Sequence, residues 1–380
     1  MVVLDLKLNN FYAFKNFHLN MSYPKKIVNS TIKDEYLSPF TNFRYKKVNI
    51  IFGSNATGKT TLGKMIMLIF NFLRVKSYEV LTDAISNPKK EASFTIDMAS
   101  QSGFLYRVNC IIPPSEELLN ADTIKVEVKK VKIRQNDSYE SCIKQIEEKE
   151  FTHAKFYVEE LEKVEPITWI FEYPDIYKEK LVLPNKDEDF RFVLENILKS
   201  LDPNIIDVSI SQDAERAYVI RLQEKTIVLQ DGQPSNTDLL SSGTKAGVKI
   251  ATLITVLMKQ ANNFSYCDEN FSYIHTDIEK TLLSLMIDFL GPCDQLFFTT
   301  HNTDILDMSL PKHSFTFLRK DVNNENEPIT CVSAASLLKK QEDSLRNAVE
   351  NDLFSTAPAL ELIYDIEAYG KRLKNDEDKE

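Results

Sequence analysis

Gly53-Ser54-Asn55-Ala56-Thr57-Gly58-Lys59-Thr60, followed by Thr61, decides how the rest of this chain is read. The stretch fits G-x-x-x-x-G-K-[ST], a loop whose backbone N–H groups wrap nucleotide phosphates. Its flanks agree with that reading. The apolar run Val48, Ile50, Ile51, Phe52 predicts a strand entering the loop. Leu62, Met65, Ile66, Ile69, Phe70 and Leu73 predict a helix leaving it. A phosphate there would meet a helix N-terminus, where unpaired N–H groups and the macrodipole favour negative charge. Lys59 is expected to reach the outer phosphates, and the Thr60 hydroxyl to serve Mg²⁺. ATP and Mg²⁺ are therefore the expected ligands.

Composition narrows the setting. A chain of 380 residues holds two domains, or one with a large insertion. Only 9 glycines are present, and two of them sit in this loop, which argues against a chance match. The net charge of −10 excludes a surface built as a whole for nucleic acid, though not a local basic patch. The 5 cysteines are scattered, odd in number and without C-x-x-C, so reduced thiols in a cytoplasmic protein are expected. The N-terminus lacks the pattern of a signal peptide. No window reaches the roughly 18 apolar residues of a membrane span, so no membrane partner is expected.

Alternation at Val2, Leu4, Leu6 and Leu8 predicts a first strand, followed by Asn10-Phe11-Tyr12-Ala13-Phe14-Lys15. Residues 92–134 read as antiparallel β, with a turn at Gln101-Ser102-Gly103 and a slip at Lys129-Lys130 that predicts a bulge. Residues 139–200 read as largely helical, broken by Pro166, Pro174 and Pro184. Three strands are expected over 205–230, a strong helix over 242–260, and strands at Phe264–Cys267 and Gln295–Thr299. The expected architecture is α/β. An N-terminal lobe over 1–135 carries the P-loop and an antiparallel β subdomain. A helical and β insertion spans 136–235, a C-terminal lobe 236–370, and a disordered charged tail 371–380.

Hydrolysis needs a metal-holding acid and a group that positions the attacking water. The strand Phe264–Cys267 ends in Asp268-Glu269. Asp268 is expected to hold Mg²⁺, and Glu269 to orient and deprotonate water. The apolar strand Gln295–Phe298 runs through Thr299 and Thr300 into His301, at the kind of strand end where α/β sheets place ligands. His301 would donate a hydrogen bond to the γ-phosphate. Ser241-Ser242-Gly243-Thr244 opens the 242–260 helix. It reads as an N-cap, or equally as a second phosphate-binding surface that closes over a neighbouring subunit.

These motifs together resemble the ABC-type ATPases, and among them the overcoming-lysogenization-defect-like group. The matching elements are Asn10–Lys15, the P-loop with Asn55-Ala56, Leu240-Ser241-Ser242-Gly243-Thr244 and Thr299-Thr300-His301. Leu345–Glu350, Phe354 and Pro358 also look like the ending of stand-alone members. The resemblance implies an ABC-type P-loop NTPase fold with a mixed core sheet. It implies catalysis by Lys59, Glu269 and His301, metal binding by Thr60 and Asp268, and action in trans by Ser241 and Gly243, with Ser242 between them. A homodimer or higher homo-oligomer follows. His275 matches a histidine common in the group, and no Q-loop glutamine is identifiable, Gln101 being the nearest. After the switch region D-x-D spacing occurs only at Asp376-Glu377-Asp378 in the charged tail, which offers no recognisable Toprim nuclease, and there is no H-N-H cluster. Stand-alone relatives in the PARIS and Septu antiphage systems work beside a separately encoded Toprim or H-N-H nuclease. The implied role is a sensor or scaffold controlling such an effector.

Three other readings compete. An arm-less DNA repair ATPase would contact DNA directly, through Lys125, Lys129, Lys130, Lys132 and Arg134. A transporter subunit fits the Asn10–Lys15 and Thr299–His301 elements poorly. A non-hydrolysing ATP-binding module is disfavoured by Glu269 and His301.

Overall fold

The computed structural model describes residues 1–115, 121–150, 156–173, 183–230, 233–234, 241–259, 263–269, 271–272, 274–340, 343–356 and 361–377. Pro174, Leu240, Pro358 and residues 378–380 lie outside these. The chain runs through β1 (Val2–Asn9), β2 (Phe17–Asn20), β3 (Tyr36–Leu37), β4 (Phe40–Arg44) and β5 (Val48–Phe52) into α1 (Lys59–Val75). It continues through α2 (Glu79–Thr82), β6 (Ala92–Ala99), β7 (Phe104–Ile112), β8 (Lys125–Lys132), α3 (Tyr139–Glu148), α4 (Tyr157–Leu161), β9 (Trp169–Glu172) and α5 (Glu188–Leu201). Then follow β10 (Ile205–Ile210), β11 (Ala217–Leu222), β12 (Thr226–Gln230), β13 (Gln233–Pro234), α6 (Ser242–Met258), β14 (Phe264–Asp268), α7 (Thr276–Asp288) and β15 (Gln295–Thr300). The remaining elements are β16 (Phe315–Lys320), β17 (Ile329–Ser333), α8 (Ala334–Leu337), α9 (Leu345–Glu350) and α10 (Glu361–Glu377).

The core is a mixed sheet in the order β17-β16-β5-β15-β14-β9. All its pairs are parallel except β16 with β17. The α/β class with a mixed core sheet is as expected. Parallel strands covered on both faces read as continuous apolar runs, and their side chains still alternate between the two faces. Ile50, Phe52, Leu296 and Phe298 enter one core with α5, α6 and α7. Ile51, Phe264, Tyr266 and Phe297 enter the other with α1. Phe70 of α1 sets its ring against Trp169, Phe171 and Phe264, with centroids 5.5, 6.2 and 5.1 Å away.

An antiparallel sheet, β2-β1-β6-β7-β8, covers the far side of α1, and a second one, β10-β11-β12-β13, packs beside α5. Three expectations from sequence differ from what is observed. The β7–β8 ladder runs from Phe104↔Lys132 to Ile111↔Lys125 without a shift, so there is no bulge at Lys129-Lys130. Trp169–Glu172, inside the expected 136–235 insertion, is the edge strand of the core sheet. The helix Glu361–Glu377 runs into the segment read as a disordered tail.

Candidate active site

The site forms where β5, β14 and β15 end side by side. After Phe52 the chain turns through the P-loop. Ala56 (φ 63°) and Gly58 (φ 102°) both take left-handed conformations. Glycine alone adopts the second without strain, since no Cβ meets the following carbonyl. Successive residues of opposite hand in a turn of this kind form a concavity of N–H groups suited to anions. Phe14 supports it from behind, because a Cβ on Gly58 would lie 3.5 Å from the Phe14 ring. This gives the Asn10–Lys15 element a physical task. Phe11 and Phe14 are fully buried against α1, while Asn10 donates to the carbonyls of Asn87, Lys90 and Glu91.

Lys59 opens α1 and is only 4% exposed. Its ammonium donates to the carbonyls of Gly53 (2.8 Å) and Ser54 (3.2 Å) and lies 3.1 Å from Glu269 Oε1. The acceptors around Lys59 thus stand where phosphate oxygens would compete for it. The Thr60 hydroxyl donates to Asp268 Oδ2 at 2.6 Å, and Thr299 donates to Oδ1 at 2.7 Å. Burial pushes the Asp268 carboxyl above its ordinary value, while the two hydroxyl donors and Lys59 pull the other way and Glu269 adds to the rise. A hydroxyl and a carboxylate, both hard oxygens and already aligned, fit Mg²⁺, which prefers oxygen donors. Bound by Thr60 and Asp268, the ion would offset phosphate charge.

Glu269 sits just past the end of β14 in a left-handed conformation, φ 46°. Such strain costs a non-glycine residue about 1 kcal/mol and persists where neighbours hold it. Here the Thr299 carbonyl and hydroxyl both accept from the Glu269 N–H. His301 follows β15, is half exposed, and places Nδ1 4.0 Å from Glu269 Oε1. Lys59, Thr60, Asp268, Glu269 and His301 therefore converge, with the loop residues Gly53 to Gly58 and Thr61 around them.

The Ser241 turn stands apart. Ser241 caps α6, its hydroxyl accepting from the Thr244 N–H at 3.1 Å and meeting the Thr244 hydroxyl at 2.8 Å. Ser241 and Ser242 are exposed and Gly243 is partly so. Among the described residues, no hydrogen bond joins this turn to the P-loop. His275 caps α7, accepting from Asp277 N–H. Gln101 lies in the β6–β7 hairpin turn, in the other sheet.

Two groups escaped the sequence reading. Glu279 of α7, buried, accepts from the Thr300 hydroxyl (3.2 Å) and the Asn302 amide (2.6 Å), the residues on either side of His301. Its place among Leu282, Leu283 and Met286 on one helical face was the available signal. Tyr266 donates to the Lys59 carbonyl at 2.6 Å, tying β14 to α1.

No family model matches this chain, and no curated protein does. Among solved structures it is similar to the SMC head domain from Thermotoga maritima, at 13% identity over 88% of this chain and 99% of that one, TM-score 0.41. It is also similar to a Smc head domain derived from Pyrococcus furiosus, bound to the C-terminal domain of ScpA. There the identity is 11% over 89% and 98% of the two chains, TM-score 0.48. A third is the recombination mediator protein RecF of the RecFOR pathway, at 10% identity over 87% and 98%, TM-score 0.42. The fold assignment rests on the strand order and P-loop geometry above. Among the described residues no helix is long and apolar enough to cross a membrane.

Proposed function

We propose that this chain binds and hydrolyses ATP, and that two copies close around the nucleotide. The observation that carries the reading is the Thr60–Asp268 contact at 2.6 Å with Lys59–Glu269 beside it at 3.1 Å. It brings the residues read for phosphate, metal and water together from segments 208 residues apart, which supports those roles. With ATP bound, the phosphates draw Lys59 from Glu269, which is then free to accept a proton from the attacking water. His301, 4.0 Å from Glu269, would hydrogen-bond the γ-phosphate. The exposed Ser241–Gly243 turn, unused by its own P-loop, supplies the far side of a neighbour's site. A two-fold dimer contains two such composite sites.

The resemblance to stand-alone antiphage ATPases supports a further step, in which the ATP-dependent dimer holds or releases a separately encoded Toprim or H-N-H nuclease. Direct DNA contact through β8 is the weaker reading. Lys129 lies 3.5 Å from Glu127, and Lys130 lies 3.9 Å from Glu165 and over the Phe104 ring, so acidic and aromatic neighbours already engage that strand.

The test is light scattering of Glu269→Gln with and without ATP, beside phosphate release by the unaltered protein. An ATP-dependent doubling of mass is expected. A mass unchanged by ATP would sink the composite site. Co-purification with the product of the adjacent reading frame tests the effector step.

A further inference from the structure

Two adjoining clefts of about 340 and 660 Å³ lie away from the P-loop, sharing Tyr23, Lys25 and Ala335 in their walls. The smaller occupies the seam where β2 of the antiparallel sheet meets β17 of the core sheet, with Lys46 leading into β5. Lys25, Lys46, Lys312, Lys339 and Lys340 line the pair, and no carboxylate lines either, on a chain of net charge −10. Asp5 and Glu35, both buried, are bound to the lining residues His18 and His313, each at 2.6 Å, and Asp343 accepts from the Lys340 N–H at 2.9 Å.

The floor of the smaller cleft carries the sharper signal. Lys46 is 6% exposed, and its ammonium donates to the Asn20 carbonyl at 3.0 Å without a carboxylate beside it. Thr316 is 2% exposed, and its hydroxyl oxygen is buried with no hydrogen-bond partner. A buried ammonium without a counter-ion and a buried hydroxyl without a partner are both costly. Both line the same cleft, and together they suit an anion with several acceptor oxygens.

We propose that the smaller cleft receives the terminal phosphate of a small phosphorylated ligand, held by Lys46 and Thr316, while the lysines of the larger cleft hold the remainder. The combined size suits a small molecule. A terminal phosphate reaches a buried ammonium. A phosphodiester inside a polymer, flanked by sugars on both sides, does not, and this favours a small ligand over a nucleic acid. Burial also pushes the Lys46 amine down to about 8, and a bound phosphate would keep it charged. Occupancy would bridge the two sheets on either side of α1, at a site separate from ATP.

The probe is inorganic pyrophosphate, titrated calorimetrically into the full chain carrying Lys59→Ala to weaken the P-loop. Binding is expected to persist in that background and to weaken at least tenfold on adding Lys46→Met or Thr316→Val. The threonine change keeps the shape and guards against misfolding. Affinity unaltered by both changes overturns the site and assigns any binding to surface lysines. Absence of pyrophosphate binding, with a single-stranded oligonucleotide bound in a Lys46-dependent way, overturns it in favour of nucleic acid. Neither result touches the ATPase reading, which rests on Lys59 and Glu269.

Discussion

The loop at Gly53–Thr60 and the turn at Ser241–Thr244 both open a helix and both carry a glycine, yet they are finished differently. Lys59 is buried and tied to two carbonyls and a carboxylate from another strand. Ser241 is exposed and bonds to Thr244, three residues on. The first turn is completed by its own chain. The second satisfies only its helix end and leaves its outer face to solvent. One loop folded to completion and one turn left open is what the proposed division of the site between two copies calls for.

The contrast can be broken by experiment. Lys59→Ala should have the largest effect, lowering kcat/KM for ATP at least 100-fold, since it removes the charge that meets the transferring phosphoryl group. Glu269→Gln should lower turnover by about 10²–10³-fold while retaining ATP, measured by phosphate release and filter binding. Ser241→Arg should abolish hydrolysis yet keep nucleotide affinity within a few-fold. Mixing it with Lys59→Ala should restore about a quarter of normal activity, because half the dimers are mixed and each holds one intact site. If the mixture stays silent, the Ser241 turn belongs to its own fold. Glu279→Gln should cost a smaller factor, about three- to tenfold in kcat with KM unchanged, by loosening the residues around His301.

The pH dependence of folding sharpens a different part of the molecule. The Lys46 amine falls from 10.5 to about 8 in the fold, so the folded state disfavours its charged form. Stability should therefore be lost as pH falls from about 10.5 to about 8 and stay low beneath that. The cost is roughly 3 kcal/mol at most, and Lys46→Met should abolish this slope in denaturant titrations.

Sequence made the P-loop, β14, β15 and α6 legible, because each couples a periodic apolar run to a polar punctuation mark. Tyr266 and Ser265 make β14 less apolar than its neighbours, but the acid pair at its end marked it. β9 was not legible. Four residues set among helical segments acquire strand identity only by pairing with Phe264–Cys267, almost a hundred residues later. Local propensity carries no record of such a pairing. The bulge expected at Lys129-Lys130 failed for a related reason: β8 is an edge strand, and Lys130 stays in register with its ammonium set over the Phe104 ring. Glu279 was hidden because a lone carboxylate on a helix ordinarily faces water. The Lys46 cleft draws residues from four separate regions of the chain, and no short window could show it.

Gly63 has a consequence for how the two halves of the nucleotide site move. A Cβ placed there would come within 2.5 Å of the Tyr266 ring, whose hydroxyl already grips the Lys59 carbonyl. The P-loop helix and the acid-bearing strand are meshed like gear teeth, with no slack for one to turn without the other. If nucleotide binds at Lys59 as proposed, this contact gives Asp268 a route to register it through packing as well as through charge.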